Sequence, residues 1–385
     1  MVEAVRGGSS LRAVARKFRV SLGTVQRWVH RAGSADLNRV EWTDRPSIPH
    51  TFHRTSPEVE ARVLDLRREL RDAGALGEYG AVAIHRAWPI ATGGPPPAIR
   101  TIGRILERRG AFDGQRRVRH PPPPRGWYLP TVARGEADCD CFDIIAGLVL
   151  QDGPEVEVLT GLALHAGLPE AWPEEAITTG RVHSALQARW RAVGLPTYAQ
   201  FDNDTRFQGP HQFPDIVGRV PRLCLQLGVV PVFTPLQDPS FQAALENFNG
   251  RWQAKVWSRF HHPSLTVLQA RSAAHIVAVR QRGTSRAVEA PPRRPFPTPW
   301  EFDPGITPSG HVIFLRRTNA QGAVTLLGRT FAVDPHWPHR LVRAEVRLPD
   351  GPIQVFALRR RDPHAQPLLQ ELPYDLPTRR RRLHD

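Results

Sequence analysis

Cysteine is scarce in this chain. Its 385 residues include three, Cys139, Cys141 and Cys224. That is too few for a disulfide framework, and a reducing, cytoplasmic setting is expected. Lysine is rarer still: Lys17 and Lys255 stand alone among 52 basic residues, and the rest are arginines. Long apolar runs are absent as well. No stretch approaches the roughly 18 apolar residues of a membrane span. The opening MVEAVRGGSSLRAVARKFRV lacks the apolar centre of a secretory signal. A membrane partner or a secreted product is therefore not expected.

Positive charge is plentiful. The formal net charge is +15, which favours a polyanionic partner, nucleic acid first. An arginine fork grips phosphate at two points. Codon usage in a GC-rich genome accounts for arginine over lysine, but it does not deplete acidic codons and leaves the net charge standing. At about 100–200 residues per domain, the length implies two to four domains. The 38 prolines are about twice the usual ~5% share. Their clusters at 95–97, 121–124 and 291–299 read as joints.

Residues 1–35 read as a helix-turn-helix unit. Ser10 caps a helix with Leu11, Val14, Ala15 and Phe18 at helical spacing, and Ser21 caps a second with Val25, Trp28 and Val29. The second helix presents Thr24, Gln26, Arg27 and Arg31, groups that reach phosphates and base edges in a major groove. Residues 1–33 hold seven Arg or Lys and one acid. A plain helical hairpin with a solvated basic face is the alternative. Residues 55–111 read as a second helical, DNA-binding unit. It starts at Ser56-Pro57-Glu58 and ends on a helix carrying Ile99, Ile102 and Leu106, with Arg100, Arg104 and Arg108 opposite. Residues 112–131 are a basic, Pro-rich linker.

The region 132–285 reads as mixed α/β. Strands are expected at 138–150, entering an Asp152-Gly153 turn, and at Val156–Leu164, Tyr198–Phe201 and Val229–Thr234. Helices are expected from Thr179, around Leu223 and Leu227, and over Phe241–Phe260. Between residues 300 and 362 the short runs His311–Arg317, Val324–Val333, Leu341–Leu348 and Ile353–Arg359 suggest a small β-barrel. Residues 363–385 form a basic tail with Arg379–Arg382. The expected fold is thus multidomain: all-α modules, a central α/β core and a C-terminal small β-barrel.

The acids carry the chemistry. Asp138, Asp140 and Asp143 fall in the first strand, Asp202 and Asp204 follow a later strand, and Glu246 lies on the helix after Val229–Thr234. One carboxylate on the first strand, one at a strand end and one on a following helix make a ribonuclease-H-type layout. Three acids drawn together repel unless divalent cations neutralise them, and oxygen donors suit Mg²⁺ or Mn²⁺.

The ordered block Asp202-Asn203, Phe207-Gln208-Gly209, Cys224–Gly228, Val229–Pro235 and Glu246–Asn249 resembles the catalytic core of bacterial insertion-sequence transposases related to retroviral integrases. The resemblance spans about residues 1–360. It implies a ribonuclease-H-like core, a metal site and catalytic triad of a first-strand Asp with Asp202 and Glu246, and two Mg²⁺ or Mn²⁺ per site. It also implies cleavage at element ends followed by strand transfer, double-stranded DNA as partner, and a homo-oligomer on DNA in the bacterial, nucleoid-associated cytoplasm. Asp140 is the expected first acid; Asp138 shares its parity, and Asp143 points to the opposite face if the strand is regular.

The chain departs from the family's pattern in three places. Asp204 stands where Gly is common, 43 residues separate Asp202 from Glu246, and Gln253 stands where many relatives have Lys. A DNA-binding regulator without catalysis and a metal-dependent nuclease without strand transfer are the alternative functions. The pairs His261-His262 and Cys139/Cys141 lack the spacing of a structural zinc site, and Cys224 reads as a small core residue.

Overall fold

A computed structural model describes residues 1–43, 55–111, 125–151, 153–209, 214–236, 238–360, 363 and 365–376. Asp152, most of the Pro-rich linker and the Arg379–Arg382 tail lie outside these residues. The chain divides into two compact units, Met1–Glu60 and Ala61–Asp385.

The first unit holds α1 (Val2–Arg6), α2 (Leu11–Phe18) and α3 (Leu22–Ala32). Ser10 Oγ accepts the Ala13 amide and Ser21 Oγ accepts the Thr24 amide, so both N-termini are capped. Between the helices Arg19 turns the chain in the left-handed region at φ 53°. Val14, Ala15 and Val25 form the small buried core. Trp28 leaves that core and meets Trp42 instead, with ring centroids 5.6 Å apart.

α4 (Pro57–Ala73), which crosses the boundary between the units, is followed by α5 (Ala81–Thr92), α6 (Ile99–Arg108) and α7 (Pro130–Ala133). The α/β region follows. β1 (Cys139–Val149), β2 (Glu155–Ala163) and β3 (Pro169–Glu174) form an antiparallel meander. α8 (Thr179–Val193) crosses over to β4 (Tyr198–Phe201), which lies parallel to β1. The short α9 (Thr205–Gln208) and α10 (Arg219–Gln226) lead to β5 (Val230–Phe233), parallel to β4. α11 (Ala243–Trp252) continues into a π-helical turn at Gln253–Trp257, followed by α12 (Leu265–Arg282) and α13 (Thr284–Val288).

Each face of the sheet packs a separate core. Phe142 of β1, Phe201 of β4 and Phe233 of β5 pack with Val182, Leu186 and Trp190 of α8 and Leu223 of α10. On the other face Cys139, Cys141 and Ile145 of β1 pack with Leu245, Phe248 and Trp252 of α11 and Leu268 of α12. Alternate residues of β1 therefore serve different helices.

The C-terminal strands differ from expectation. β6 (Gly310–Arg317) pairs in parallel with β5. β7 (Ala323–Leu326) and β8 (Arg329–Ala332) form a hairpin. β9 (Leu341–Leu348), β10 (Ile353–Ala357) and β11 (Leu368–Leu372) follow. The nine-stranded sheet runs β11-β10-β9-β6-β5-β4-β1-β2-β3. Among the described residues, these strands extend the central sheet and do not close into a separate barrel. The reason is that the exposed edge of β5 offers β6 a ladder, and the burial of Phe314 and Leu315 follows from it. The expected single run Val324–Val333 is broken because Leu327 and Gly328 both adopt positive φ, the geometry of a tight hairpin. Among the described residues no helix is long and apolar enough to cross a membrane.

A chain ended at residue 309 is expected to lose its cooperative thermal transition by circular dichroism. It sheds Ile313, Phe314 and Leu315 from the two cores, each worth about 1.5–3 kcal/mol, and bares the edge of β5. A sharp melt in that truncation would show the C-terminal strands to be a dispensable domain.

Candidate active site

β1 and β4 set the site. Cys141 pairs with Gln200 across the parallel ladder. Two residues further along both strands come Asp143 and Asp202, on the parity that faces α11. Tyr128 and Gln200 fasten this corner: the Gln200 amide donates to the Phe241 carbonyl at 3.0 Å, and the Tyr128 hydroxyl donates to both Gln200 Oε1 and that same carbonyl. The start of α11 is thereby tied to β4, two residues from Asp202.

α11 sets Asn249 against β1, with the exposed Glu246 one turn before it. Asn249 Nδ2 donates to Asp143 Oδ2 at 2.8 Å, and the Ile144 amide donates to Asp143 Oδ1 at 2.9 Å. Asn249 Oδ1 is buried with no hydrogen-bond partner. Asp202 Oδ1 accepts the Asp204 amide at 3.0 Å.

The electrostatics are those of crowded anions. Burial, then the neighbouring carboxylates of Asp143 and Asp204, push Asp202 up to about 6, against the opposing pull of the Asp204 amide. Asp143 is raised by burial and by Glu246 and Asp204, with the Ile144 amide opposing. Glu246, on the exposed side of α11, is raised by partial burial. Asp204 is different: Arg206 binds it through both oxygens and reaches on to Glu157.

Asp140, the expected first acid, is elsewhere. It is fully buried on the α8 face. Arg189 donates to both of its oxygens at 2.9 and 3.2 Å, Trp190 Nε1 donates at 3.1 Å, and Arg293 completes the set. Burial pulls its pKa upward, but Arg189 and Arg293 outweigh it and hold the carboxyl at about 2. Asp138 is on the same face, accepting the Cys139 and His165 amides. The expectation for Asp140 is thus corrected: its oxygens are consumed by a buried ion pair, three residues and one sheet face away from Asp143. Asp202 and Glu246 lie on the α11 side with Asp143.

Among the described residues no three His, Cys, Asp or Glu side chains sit close enough to hold a metal ion as they stand. The acids interact at electrostatic range. The donor set nevertheless fits a hard cation: it is all oxygen, partly desolvated and self-repelling, and Asn249 leaves a carbonyl oxygen unused beside it.

The residues expected to touch DNA divide. Gln26 and Arg27 on α3, and Arg100 and Arg104 on α6, are exposed. Thr24 is half-buried with its hydroxyl bonded to Ser21. Arg31 turns inward: it donates to the Thr43 carbonyl at 2.8 Å and covers the Trp28 ring. Lys255 donates to the Gly77 carbonyl at 2.8 Å, away from the acids. Sequence reasoning named Asn249 only as the end of the motif block and gave it no role, and it missed the anchoring pair Tyr128 and Gln200. A polar Gln inside the apolar strand Tyr198–Phe201 was the available signal.

No protein family matches the sequence, and no curated protein does. Solved structures with some similarity include three from viruses. A chain of the simian T-cell lymphotropic virus intasome, in complex with PP2A regulatory subunit B56 gamma, aligns over 77% of this chain and 93% of its own, with 15% identity and a TM-score of 0.33. The catalytic core of BIV integrase aligns over 36% and 81%, with 17% identity and a TM-score of 0.27. The HTLV-2 integrase catalytic core, in complex with magnesium in a dimeric form, aligns over 35% and 81%, with 9% identity and a TM-score of 0.25. TM-scores of this size decide nothing about the chemistry; the side chains must.

Asp140→Asn is expected to cost about 3–5 kcal/mol in urea unfolding, because Arg189 is left buried without its anion. Asp143→Asn is expected to leave stability unchanged or raise it, since it relieves repulsion. The Asp140 carboxyl titrates lower in the folded chain, at about 2, than the roughly 3.9 of an unfolded aspartate. Its stabilisation is therefore complete above about pH 5 and is lost as pH falls through about 4 to 2. Urea midpoints across pH 2–6 that fall equally in wild type and Asp140→Asn would refute that assignment.

Proposed function

We propose that the chain is a metal-dependent DNA-strand transferase of the insertion-sequence transposase type, with Asp143, Asp202 and Glu246 as its catalytic acids. One observation carries the reading. Three carboxylates from β1, the end of β4 and α11 lie on one sheet face within electrostatic range, and each is held above its ordinary pKa. Acids arranged only for stability find cations, as Asp140 does.

Asp143 and Asp202 would hold divalent ions between them, with Glu246 closing from the helix. Two Mg²⁺ or Mn²⁺ would supply charge neutralisation and polarise the attacking and leaving oxygens of an in-line phosphoryl transfer. The chain's own part is placement. Asn249 fixes the rotamer of Asp143. Arg316 donates to Asn203 Oδ1 at 2.9 Å, and Asn203 donates to the Thr234 carbonyl at 2.7 Å, which hold the loop after Asp202. Water would first cut a strand to leave a 3′-OH, and that hydroxyl would then attack a target phosphodiester. Gln26 and Arg27 of α3, with Arg100 and Arg104 of α6, would read and grip element ends. Joining two ends calls for more than one copy on the DNA, and the setting would be the bacterial cytoplasm.

With Mg²⁺ or Mn²⁺ and element-end duplex, Asp143→Asn, Asp202→Asn and Glu246→Gln are each expected to lower cutting and joining by at least about 100-fold. Duplex affinity is expected to hold. Full activity in Asp143→Asn would refute the triad; cutting without joining in wild type would favour a nuclease, and binding without cutting a regulator. Arg27→Ala is expected to weaken duplex binding and to reduce the slope of log K against log salt by about 1. An unchanged slope in fluorescence anisotropy would remove Arg27 from the interface.

A further inference from the structure

Beside α11, on the helix face next to the one carrying Glu246, lies an open groove of about 620 Å³. Its floor includes Ala243, Ala244 and Asn247, and its walls carry four arginines, Arg125, Arg251, Arg282 and Arg286. They come from separate places: the segment before α7, α11, the end of α12 and α13. All four line the groove; Glu78 pairs with Arg282 and acts at longer range on Arg251, as Asp138 does on Arg286.

Arg286 is built into place, and Arg251 bonds only its own helix. Arg286 Nε donates to the His165 carbonyl at 2.7 Å and its terminal nitrogen to the Leu164 carbonyl. Gly167 makes room for it: a Cβ there would lie 2.9–3.0 Å from the guanidinium. Arg251 Nε donates to the Asn247 carbonyl at 3.3 Å. Neither has an acidic partner among the described residues. Burial and then the neighbouring arginines depress the pKa of both, Arg125 acting on Arg286 and Arg282 on Arg251, against a smaller opposing pull from Asp138 and Glu78. Folding therefore holds like charges together at a cost that an anion would offset.

We propose that this groove binds the phosphodiester backbone of a DNA strand and leads it past Glu246, an inference that rests on the reading of the chain as a DNA-strand transferase. Planar guanidinium forks at successive positions match successive phosphates. The groove is open, as a polymer requires and a single buried phosphate does not. Asn247 lines it one residue from Glu246, so a strand lying on the arginines passes the helix turn that carries the acid.

The native cysteines are all buried, so a thiol introduced by Ala244→Cys on the exposed floor reports the groove. In the full chain, its maleimide labelling is expected to slow about ten-fold with duplex or single-stranded DNA at about ten times Kd. Arg286→Gln and Arg125→Gln are each expected to restore labelling, and Arg125 is the milder change because it is exposed. Each is expected to lower the salt slope of binding by about 0.7–0.9. Three results would overturn the proposal: unchanged labelling while anisotropy reports bound DNA, protection that survives both substitutions, or equal protection by inorganic phosphate. None of these touches the carboxylate assignment, which falls only if Asp143→Asn keeps cutting.

Discussion

The parallel pairing of β1 with β4 is the constraint on which the site depends. Once Cys141 lies beside Gln200, the alternation of side chains sends Asp143 and Asp202 to one face and Asp140 to the other. No local preference of an aspartate decides this. Two helices packed on opposite faces do: α8 brings Arg189 and Trp190 to one, and α11 brings Asn249 and Glu246 to the other. The same carboxylate chemistry then has opposite outcomes. A buried acid met by guanidinium groups becomes a stabilising anion at about 2, and a buried acid with carboxylates for neighbours is driven up, first by burial and then by those carboxylates, to about 6 at Asp202.

The buried cluster of Asp138, Asp140, Arg189 and Arg293 ties the segment after α13 to β1. Arg293 comes from the Pro-rich segment after α13, a stretch whose composition marks it as a joint. It reaches Asp140 in β1, and the adjacent Arg294 carbonyl accepts the Leu195 amide at 2.7 Å. A segment of that kind can lead the chain from one face of the sheet to the other only if something fixes its path, and the ion pairs do so. From there the chain enters β6 beside β5, so the C-terminal strands finish the sheet that holds the acids.

Much of the local structure was legible. Ser10 and Ser21 announce α2 and α3 because a hydroxyl before an apolar helical stripe satisfies free amides. The runs at Tyr198–Phe201 and Val229–Thr234 stand out because both faces of a central parallel strand are buried. β3 was not legible: Pro169–Glu174 contains two prolines and two glutamates, tolerable because it is an edge strand. The helix Leu265–Arg282 was missed as well, its apolar positions being mixed with Arg, Gln and Ser. Val324–Val333 looked like one strand, since a turn through Leu327 breaks no rule of composition.

The sequence alone determined the ingredients: a strong positive charge, capped helices near the start, and acids placed on a first strand, after a later strand and on a following helix. It also determined that those acids would need compensation if they met, because like charges in a partly desolvated site repel. Only the tertiary structure decided which first-strand aspartate shares a sheet face with Asp202 and Glu246. β1 is buried on both sides, so its residues carry no hydrophobic alternation to mark a face. The different surroundings of Asp140 and Asp143 were made by the helix that packs over each.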